Sequence, residues 1–336
     1  APQLTVVNGS KGTYLTWDLV SGASEYYVYR KLSGGKYARI ATLKSYQSSY
    51  TDTTAVSNKV YVYAVRAIHG SVKSPYQEKT IRYLTMPVAA VSNTVNGATL
   101  TWKAVAGATQ YYVYRKTSGT AYARIATLKK AETTYTDKTA VSGTTYTYTV
   151  RAISGSYRSA FKDVEKSFVA APVLKIANGA KGPVLTWTAI TNCKQYIVYR
   201  KTGTGNYVKL TTTDKLRFQD TTAVSGTAYY YGVVAIIGKA NSGMAAVKDI
   251  YLSEIKTKVK SVSSGAVVSW TSAAGAKKYV IYRKVNTGKY KKLTSVSAKT
   301  FSYTDKTAKK GYTYTYAVRA YNGGSYGPYT EAKVSK

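Results

Sequence analysis

The residues best suited to catalysis are few in this chain and are not grouped. His69 is the only imidazole, in the segment AIHGS, and the similar segments AISGS, AIIGK and AYNGG carry other residues at its place. Nucleophilic triads need such a base, and glycoside hydrolysis needs two carboxyl groups a few ångströms apart. The 14 acids comprise four turn aspartates and ten scattered others, and no Gly-rich loop opens a helix to cradle phosphate. The sequence therefore predicts that the protein is not an enzyme.

Metal and cofactor sites are not indicated either. With one cysteine, Cys193, and one histidine, neither a disulfide framework nor a Cys/His zinc module can form. Four aspartates follow Tyr-Thr or Phe-Gln in short phrases such as YTDKTAV, and we interpret them as caps of the following turn. A calcium site would need several oxygen ligands in one place. These aspartates are Asp52, Asp137, Asp220 and Asp305.

The chemistry that the sequence does offer is aromatic and cationic. The stretch YYVYRK occurs at 26–31 and 111–116, and returns as YIVYRK at 196–201 and YVIYRK at 279–284. The chain has 36 tyrosines, and its 49 Lys and Arg against 14 Asp and Glu leave a net charge of +35. Tyrosine rings beside cations can stack sugar rings or bases, and Arg holds oxyanions in a forked geometry. Such a charge favours association with polyanions.

These stretches belong to a unit that occurs four times. Trp17, Trp102, Trp187 and Trp270 are spaced by 85, 85 and 83 residues, and each precedes the Tyr/Val stretch and the aspartate phrase in the same order. We therefore predict four domains, called repeats 1 to 4, at residues 1–85, 86–170, 171–252 and 253–336. Repeats 1 to 3 each carry a net charge of +7, whereas repeat 4 carries +14. Repeat 4 is thus the first candidate for contact with a polyanion.

Strand-like phrases rich in Tyr, Thr and Val fill each repeat, with turn residues every eight to twelve positions. This spacing predicts an antiparallel all-β sandwich of seven strands. In repeat 2 we expect strands near Ala89 and at 98–102, 110–116, 122–128, 134–135, 145–153 and 161–168. Since few residues remain for linkers, we expect an elongated rod of four sandwiches.

The four phrases taken together resemble tandem fibronectin type III domains of bacteria. The resemblance depends on Trp in the second strand, alternating Tyr and Val in the third, Y-T-D before a turn, and Y-x-Y-x-V-x-A in the sixth, and it covers all four repeats. It implies fibronectin type III or immunoglobulin-like β-sandwiches and little about function, because the modules serve as spacers, adhesins and binding appendages of secreted enzymes. Repeat 3 departs by Val234 in place of a late arginine.

The resemblance places Trp102 and Val113 in the core, and side-chain alternation then sorts the other strand residues. On the third strand Tyr111 points inward, while on the sixth Tyr146 and Tyr148 do so. The outward residues are Tyr112, Tyr114, Lys116, Thr147, Thr149 and Arg151. The same parity puts Arg30, Arg115, Arg200 and Arg283 on the core side. Tyr61, Tyr146, Tyr229 and Tyr314 occupy the place of the tyrosine corner.

The outward face is the predicted ligand-binding surface. Its candidates are Tyr27, Tyr29, Lys31, Arg66, Tyr112, Tyr114, Lys116, Arg151, Tyr199, Lys201, Tyr282, Lys284, Lys291, Lys292 and Arg319. The alternative is structural: exposed Tyr stiffens a sheet, and cations keep its face soluble and discourage edge pairing.

We expect a non-catalytic binding segment at the bacterial cell surface or in the secreted fraction, without cofactors. Its predicted partner is an anionic polymer, a teichoic acid or acidic glycan, held by a monomeric rod within a larger polypeptide. The alternatives are an architectural spacer between an enzyme or adhesin head and a cell-wall anchor, and neutral polysaccharide binding by exposed Tyr. Nucleic acid fits less well because the cations are spread over all four repeats. No apolar run of about 18 residues is present, so no membrane insertion is expected.

Overall fold

The computed structural model of the protein describes all 336 residues and contains strands but no helix. Repeat 1 holds β1 (Leu4–Asn8), β2 (Thr13–Trp17), β3 (Glu25–Leu32), β4 (Ala38–Lys44), β5 (Ser49–Asp52), β6 (Val60–His69), β7 (Val72–Lys73) and β8 (Gln77–Arg82). Repeat 2 holds β9 (Ala90–Thr94), β10 (Gly97–Thr101), β11 (Gln110–Lys116), β12 (Ala123–Lys129), β13 (Thr134–Asp137), β14 (Thr145–Ser154), β15 (Tyr157–Arg158) and β16 (Val164–Ser167). The all-β prediction is confirmed.

The second half of the chain has the same order of strands. Repeat 3 holds β17 (Leu174–Gly179), β18 (Gly182–Trp187), β19 (Gln195–Thr202), β20 (Val208–Thr213), β21 (Arg217–Gln219), β22 (Ala228–Ile237), β23 (Ala240–Asn241) and β24 (Ala245–Ile250). Repeat 4 holds β25 (Thr257–Val262), β26 (Gly265–Trp270), β27 (Lys278–Val285), β28 (Lys291–Ser297), β29 (Ser302–Asp305), β30 (Thr313–Asn322), β31 (Ser325–Tyr326) and β32 (Glu331–Ser335).

Each repeat contains two antiparallel sheets. In repeat 2 the smaller sheet has the order β9-β10-β13, and the larger has β12-β11-β14 with β15 and β16 both paired to β14. Because the two short segments pair with one neighbour, they act as a single interrupted edge strand. The seven predicted strands are therefore present, with the last in two segments. By contacts the chain divides into two compact units, Ala1–Phe168 and Val169–Lys336, each holding two repeats. The four domain boundaries and the rod stay predictions.

The core of each repeat lies between its two sheets, and parity predicted most of it. Tyr111 and Val113 are fully buried, as are Tyr148, Val150 and Ala152 on β14. Trp102 packs on Tyr111 with ring centroids 5.5 Å apart. Each predicted tyrosine corner is also confirmed, since the hydroxyl accepts a backbone hydrogen bond five residues upstream: Val56 N to Tyr61 at 3.0 Å, Val141 N to Tyr146 at 3.1 Å, Val224 N to Tyr229 at 3.0 Å and Lys309 N to Tyr314 at 2.8 Å.

The turn aspartate is the centre of a buried polar network in every repeat. In repeat 2 the backbone N and the hydroxyl of Thr139 donate to Asp137 Oδ1 at 3.0 and 2.7 Å, which confirms the cap. The other oxygen accepts from Arg115 at 2.6 Å and from the Tyr148 hydroxyl at 2.9 Å. The equivalent ion pairs are Arg30–Asp52, Arg200–Asp220 and Arg283–Asp305, at 2.6, 2.6 and 2.7 Å. The inward arginines are therefore neutralised inside the fold.

A glycine lets the hairpin before this network come close to it. Gly97, at the start of β10, has a φ of 136°, a conformation that L side chains rarely adopt. A Cβ there would lie 2.3 Å from the carbonyl oxygen of Asp137. The same clash would occur at Gly12, Gly182 and Gly265. Glycine is thus required where β10 and β13 meet.

Candidate binding face

The candidate site is the outer face of the larger sheet, which points away from the core. In repeat 1 it carries Tyr27 and Tyr29 on β3, and register places Tyr27 opposite Arg66 on β6 and Tyr29 opposite Arg39 on β4. Arg39 lies over the Tyr27 ring at 4.3 Å. The face therefore alternates rings and cations across three neighbouring strands, as parity predicted.

Further aromatic residues complete this face in repeat 1. Tyr37, just before β4, lies under the Lys31 ammonium at 4.3 Å, and Tyr76, just before β8, lies under Arg66 at 4.6 Å. Tyr29 contacts both of these rings, with centroids 6.3 and 6.4 Å away, and the two rings are 5.5 Å apart. The three tyrosines form a closed cluster.

Repeat 2 has the same arrangement of cations on rings. Its three pairs are Arg124 over Tyr112 at 4.5 Å, Lys116 over Tyr122 at 4.5 Å and Arg151 over Phe161 at 4.3 Å. A cation at such a distance is attracted by the ring quadrupole and shields the ring face that it covers. These ring faces are occupied by the protein's own cations.

Repeat 4 keeps part of the arrangement. Lys284 lies over Tyr290 at 4.9 Å, and Arg319 lies between Tyr326 and Tyr329 at 4.9 and 5.7 Å. Two of the predicted site residues separate here. Lys292 is opposite Tyr282 and shares the outer face, whereas Lys291 is opposite Arg283, whose side chain is paired with Asp305 on the inner side. Lys291 therefore does not join the other candidates.

The outer face of repeat 3 is different. It keeps Tyr199 and Lys201, and Lys201 lies near Tyr207 and Tyr230 at 5.1 and 5.3 Å. The positions of Tyr27, Arg66 and Tyr76 are taken by Ile197, Val234 and Met244. Repeat 3 thus lacks the arginine that the other faces carry on the sixth strand.

The outward tyrosines are half-buried rather than exposed, because the rings and cations pack on one another. Tyr27, Tyr29, Tyr112, Tyr114, Tyr199 and Tyr282 all have this intermediate burial. Thr149 was expected to face solvent, but its exposed fraction is only 2%. That expectation was wrong because Tyr122 and Phe161, together with Tyr114, line the space above it. The outer face has a small core of its own.

Sequence reasoning missed the covering aromatics and three acidic residues. The aromatics are Tyr37, Tyr122, Tyr207, Tyr290, Tyr76, Phe161 and Tyr329, and the acids are Glu78, Asp163 and Glu331. A signal exists: Tyr stands two residues before the cation of the fourth strand in KYARI, AYARI, NYVKL and KYKKL, and the acid follows the second aromatic in PYQE, AFKD and PYTE. In repeat 2, Tyr122, Phe161 and Asp163 are among the first three residues of predicted strands, but they lie outside β12 and β16, so alternation within those strands does not assign their side chains.

The acids lower the charge of the face locally. Glu78 is 3.8 Å from Lys31, and Glu331 is 3.4 Å from Lys284. Burial, followed by the neighbouring Glu78 carboxylate, raises the pKa of Tyr37, and Glu331 acts similarly on the pKa of Tyr290. These hydroxyls stay protonated at neutral pH. The groups left to bind a ligand are the outward edges of the arginines and lysines, which suit oxyanions.

The strand order, the tyrosine corner and the Trp-on-Tyr core define four tandem fibronectin type III-like β-sandwiches. No protein-family model matches the chain. Exoglucanase B of Cellulomonas fimi is 26% identical over 280 residues, which are 72% of this chain and 24% of that protein. Amylopullulanase of Thermoanaerobacter thermohydrosulfuricus is 33% identical over 99 residues, which are 28% of this chain and 7% of that protein. The chain thus spans at most about a quarter of these two relatives.

Among solved structures, a two-domain fibronectin type III segment of chicken tenascin is 19% identical, covers 49% of this chain and 98% of its own, and has a TM-score of 0.27. An Fn3-like protein from Clostridium thermocellum is 36% identical, covers 24% of this chain and 90% of its own, and has a TM-score of 0.22. Strand order and register, rather than these overlaps, define the fold. The chain contains no helix that is long and apolar enough to cross a membrane.

Proposed function

We propose that the chain is a non-catalytic segment of a secreted or cell-surface bacterial protein, and that it holds an anionic polymer on the outer faces of its sandwiches. The observation that carries the proposal is the set of cations ordered on rings in repeats 1, 2 and 4. Ordered guanidinium groups lose little side-chain freedom when they bind an oxyanion. Spread along one chain, several weak sites add through effective concentration when a polymer spans them.

The two curated relatives support a setting among polysaccharide-acting proteins. Both are named as enzymes, an exoglucanase and an amylopullulanase, and this chain corresponds to a minor part of each. These names suggest that the segment accompanies an enzyme that works on a polysaccharide. A wall polymer or an acidic glycan close to such a substrate is the partner that we favour.

Polymer binding at two salt concentrations tests this function. The full chain is titrated with poly(glycerol phosphate), polygalacturonate and neutral dextran at 50 and 200 mM salt. For roughly four phosphate contacts on a flexible chain, affinity for the phosphate polymer should fall about 50-fold over this range. The proposal would be contradicted if the chain bound neither of the two acidic polymers. It would also be contradicted if the chain bound dextran with an affinity that does not change with salt.

A purely architectural spacer is the second candidate. The shielding of ring faces by the protein's own cations favours it over neutral polysaccharide binding, since a stacked sugar would have to displace those cations. A spacer predicts only nonspecific polyanion attraction. Replacement of Tyr112 and Arg124 by Ala would then change polymer affinity no more than the loss of one exposed charge elsewhere.

A further inference from the structure

The outer face of repeat 2 contains a cavity of about 240 Å³. Its residues are Tyr114, Tyr122, Thr149, Arg151, Arg158 and Phe161. In repeat 1 the residue equivalent to Tyr114 is Tyr29, and its ring contacts the rings of both Tyr37 and Tyr76. Tyr114, in contrast, makes a ring contact only with Tyr112, at 6.4 Å. The cavity therefore occupies the space that, in repeat 1, the contacts of Tyr29 with Tyr37 and Tyr76 close. Its volume is below the ~300–1,000 Å³ of sites for larger ligands and suits a single sugar unit.

Two arginines without counter-ions lie at this cavity. Arg158 is opposite Ile153 in the β14–β15 pair, so it is a diagonal neighbour of Arg151 on the same face. Neither guanidinium makes a hydrogen bond or an ion pair within the chain. In contrast, Arg66 Nε donates to the Ser74 carbonyl at 2.8 Å, and Arg319 Nε donates to Gly327 at 3.0 Å. Burial, and then the charge of Arg158, lower the pKa of Arg151.

The surroundings do not supply the missing negative charge. Asp163 and Glu165, which is opposite Thr147, are the acids on this side of the sheet. Asp163 lies beside the Tyr122 hydroxyl, whose pKa is raised by burial and then by this carboxylate. Neither acid makes an ion pair with Arg151 or Arg158. The residues equivalent to Arg158 are Lys73, Asn241 and Tyr326, so the other repeats have no such pair. Arg151 is half-buried, whereas Arg158 is exposed. A half-buried guanidinium without a counter-ion, next to a second cation, is costly unless an anion joins them.

We propose that this cavity binds one acidic sugar unit, with its oxyanion between Arg151 and Arg158 and its ring against Tyr114 and Tyr122. The proposal deepens the proposed function, on which it rests, by naming the chemical unit of the polymer and one place where it is held. Either a carboxylate or a phosphate on the sugar satisfies the two guanidinium forks. The apolar edges of the rings that line the cavity add contacts for the sugar ring.

The test is ligand-observed NMR by saturation transfer, with the full chain at constant ionic strength. The probes are galacturonate, glucose 6-phosphate, glucose and inorganic phosphate. We expect saturable transfer to the ring protons of one or both acidic sugars and none to glucose, and the responding sugar distinguishes a carboxylate source from a phosphate source. Inorganic phosphate should compete at least tenfold more weakly than the bound sugar. Equal binding of glucose, or phosphate competing as well as the sugar, would overturn the proposal.

Two variants locate the site. Arg151→Val copies the residue that repeat 3 carries at this position, and it should weaken acidic-sugar binding about tenfold or more. Arg217→Gln removes one exposed positive charge from the smaller sheet of repeat 3 and should leave the binding unchanged. Equal weakening in both variants would contradict a defined site. If the full chain binds the acidic polymer in a salt-dependent way but binds no acidic sugar, this inference fails and the proposed function stands. If the full chain binds no acidic polymer, the proposed function itself fails.

Discussion

At the scale of single residues, the buried aspartate network is the feature whose loss should cost most. Arg115→Met keeps aliphatic volume but leaves the fully buried Asp137 carboxylate with only Tyr148 and Thr139 as donors. Removing one partner of a buried ion pair costs about 3 kcal/mol. Hydrogen exchange of the β13 and β14 amides in the full chain should therefore become faster. The exposed neighbour Lys138→Met is the control, and equal protection in both variants would show that the pair is dispensable.

The same aspartates predict how stability depends on pH. Burial opposes ionisation of Asp137, but hydrogen bonds from Thr139, Arg115 and Tyr148 outweigh it and lower its pKa, and the pKa values of Asp52, Asp220 and Asp305 are lowered similarly. A carboxyl group with a lowered folded pKa stabilises the fold above its unfolded pKa of about 3.9 and loses this contribution as pH falls through the folded value. Urea unfolding should therefore show falling stability below about pH 4. A constant midpoint from pH 6 to 2 would contradict this prediction.

The sequence identified the residues of this network but not the contacts between them. Parity put Arg115 on the core side, and turn chemistry made Asp137 a cap, and both are confirmed. The two residues belong to different sheets, on β11 and β13. Parity assigns a side chain to a face but gives no distance across the core, so their pairing could not be derived.

At the scale of elements, the tyrosine corner fixes the loop that leads into each sixth strand. In Tyr314→Phe, the backbone N–H of Lys309 loses the hydroxyl that it contacts at 2.8 Å. A lost hydrogen bond of this kind costs about 1 kcal/mol. The measurement is hydrogen exchange of the turn before β30. Tyr312→Phe is the matched control, because Tyr312 is exposed and two residues away; a similar change in both would argue against the corner's role.

The positions of the strands could be predicted closely, but the aromatic side chains that cover the outer face of the larger sheet could not. In repeat 2 the expected strand at 110–116 coincides with β11, and the one at 145–153 differs from β14 by one residue. The error at Thr149 has a physical cause. Tyr122 and Phe161 stand just before β12 and β16, and the chain folds them over the sheet, where alternation within a strand carries no information.

At the scale of the whole molecule, the repeats are similar in fold but differ in charge and in their outer faces. Repetition made the fold predictable, since four copies of one phrase order reduce chance matches. It did not make the site predictable, because the differences lie in single residues such as Val234 and Met244 in repeat 3 or Arg158 in repeat 2. We therefore expect unequal contributions of the repeats to polymer binding.

Unequal charge gives a direct test of this expectation. Lys256, Lys258 and Lys260 in repeat 4 are all exposed, and the last two alternate with inward residues on β25, so they share one face of that strand. Their joint replacement by Gln lowers the net charge of the most basic repeat by three. Lys175, Lys181 and Lys194 in repeat 3 are also exposed, and their replacement by Gln removes the same charge elsewhere.

If the polymer on repeat 4 also contacts the smaller sheet, to which β25 belongs, the first triple variant should lose more affinity for poly(glycerol phosphate) and should show a salt dependence reduced by about two units of slope, at about 0.7 per lost phosphate contact. The second should change both quantities little. Equal losses would mean that the polymer responds only to total charge, as expected of a screened long-range field. Because both variants carry the same net charge, any difference between them reports where the polymer lies.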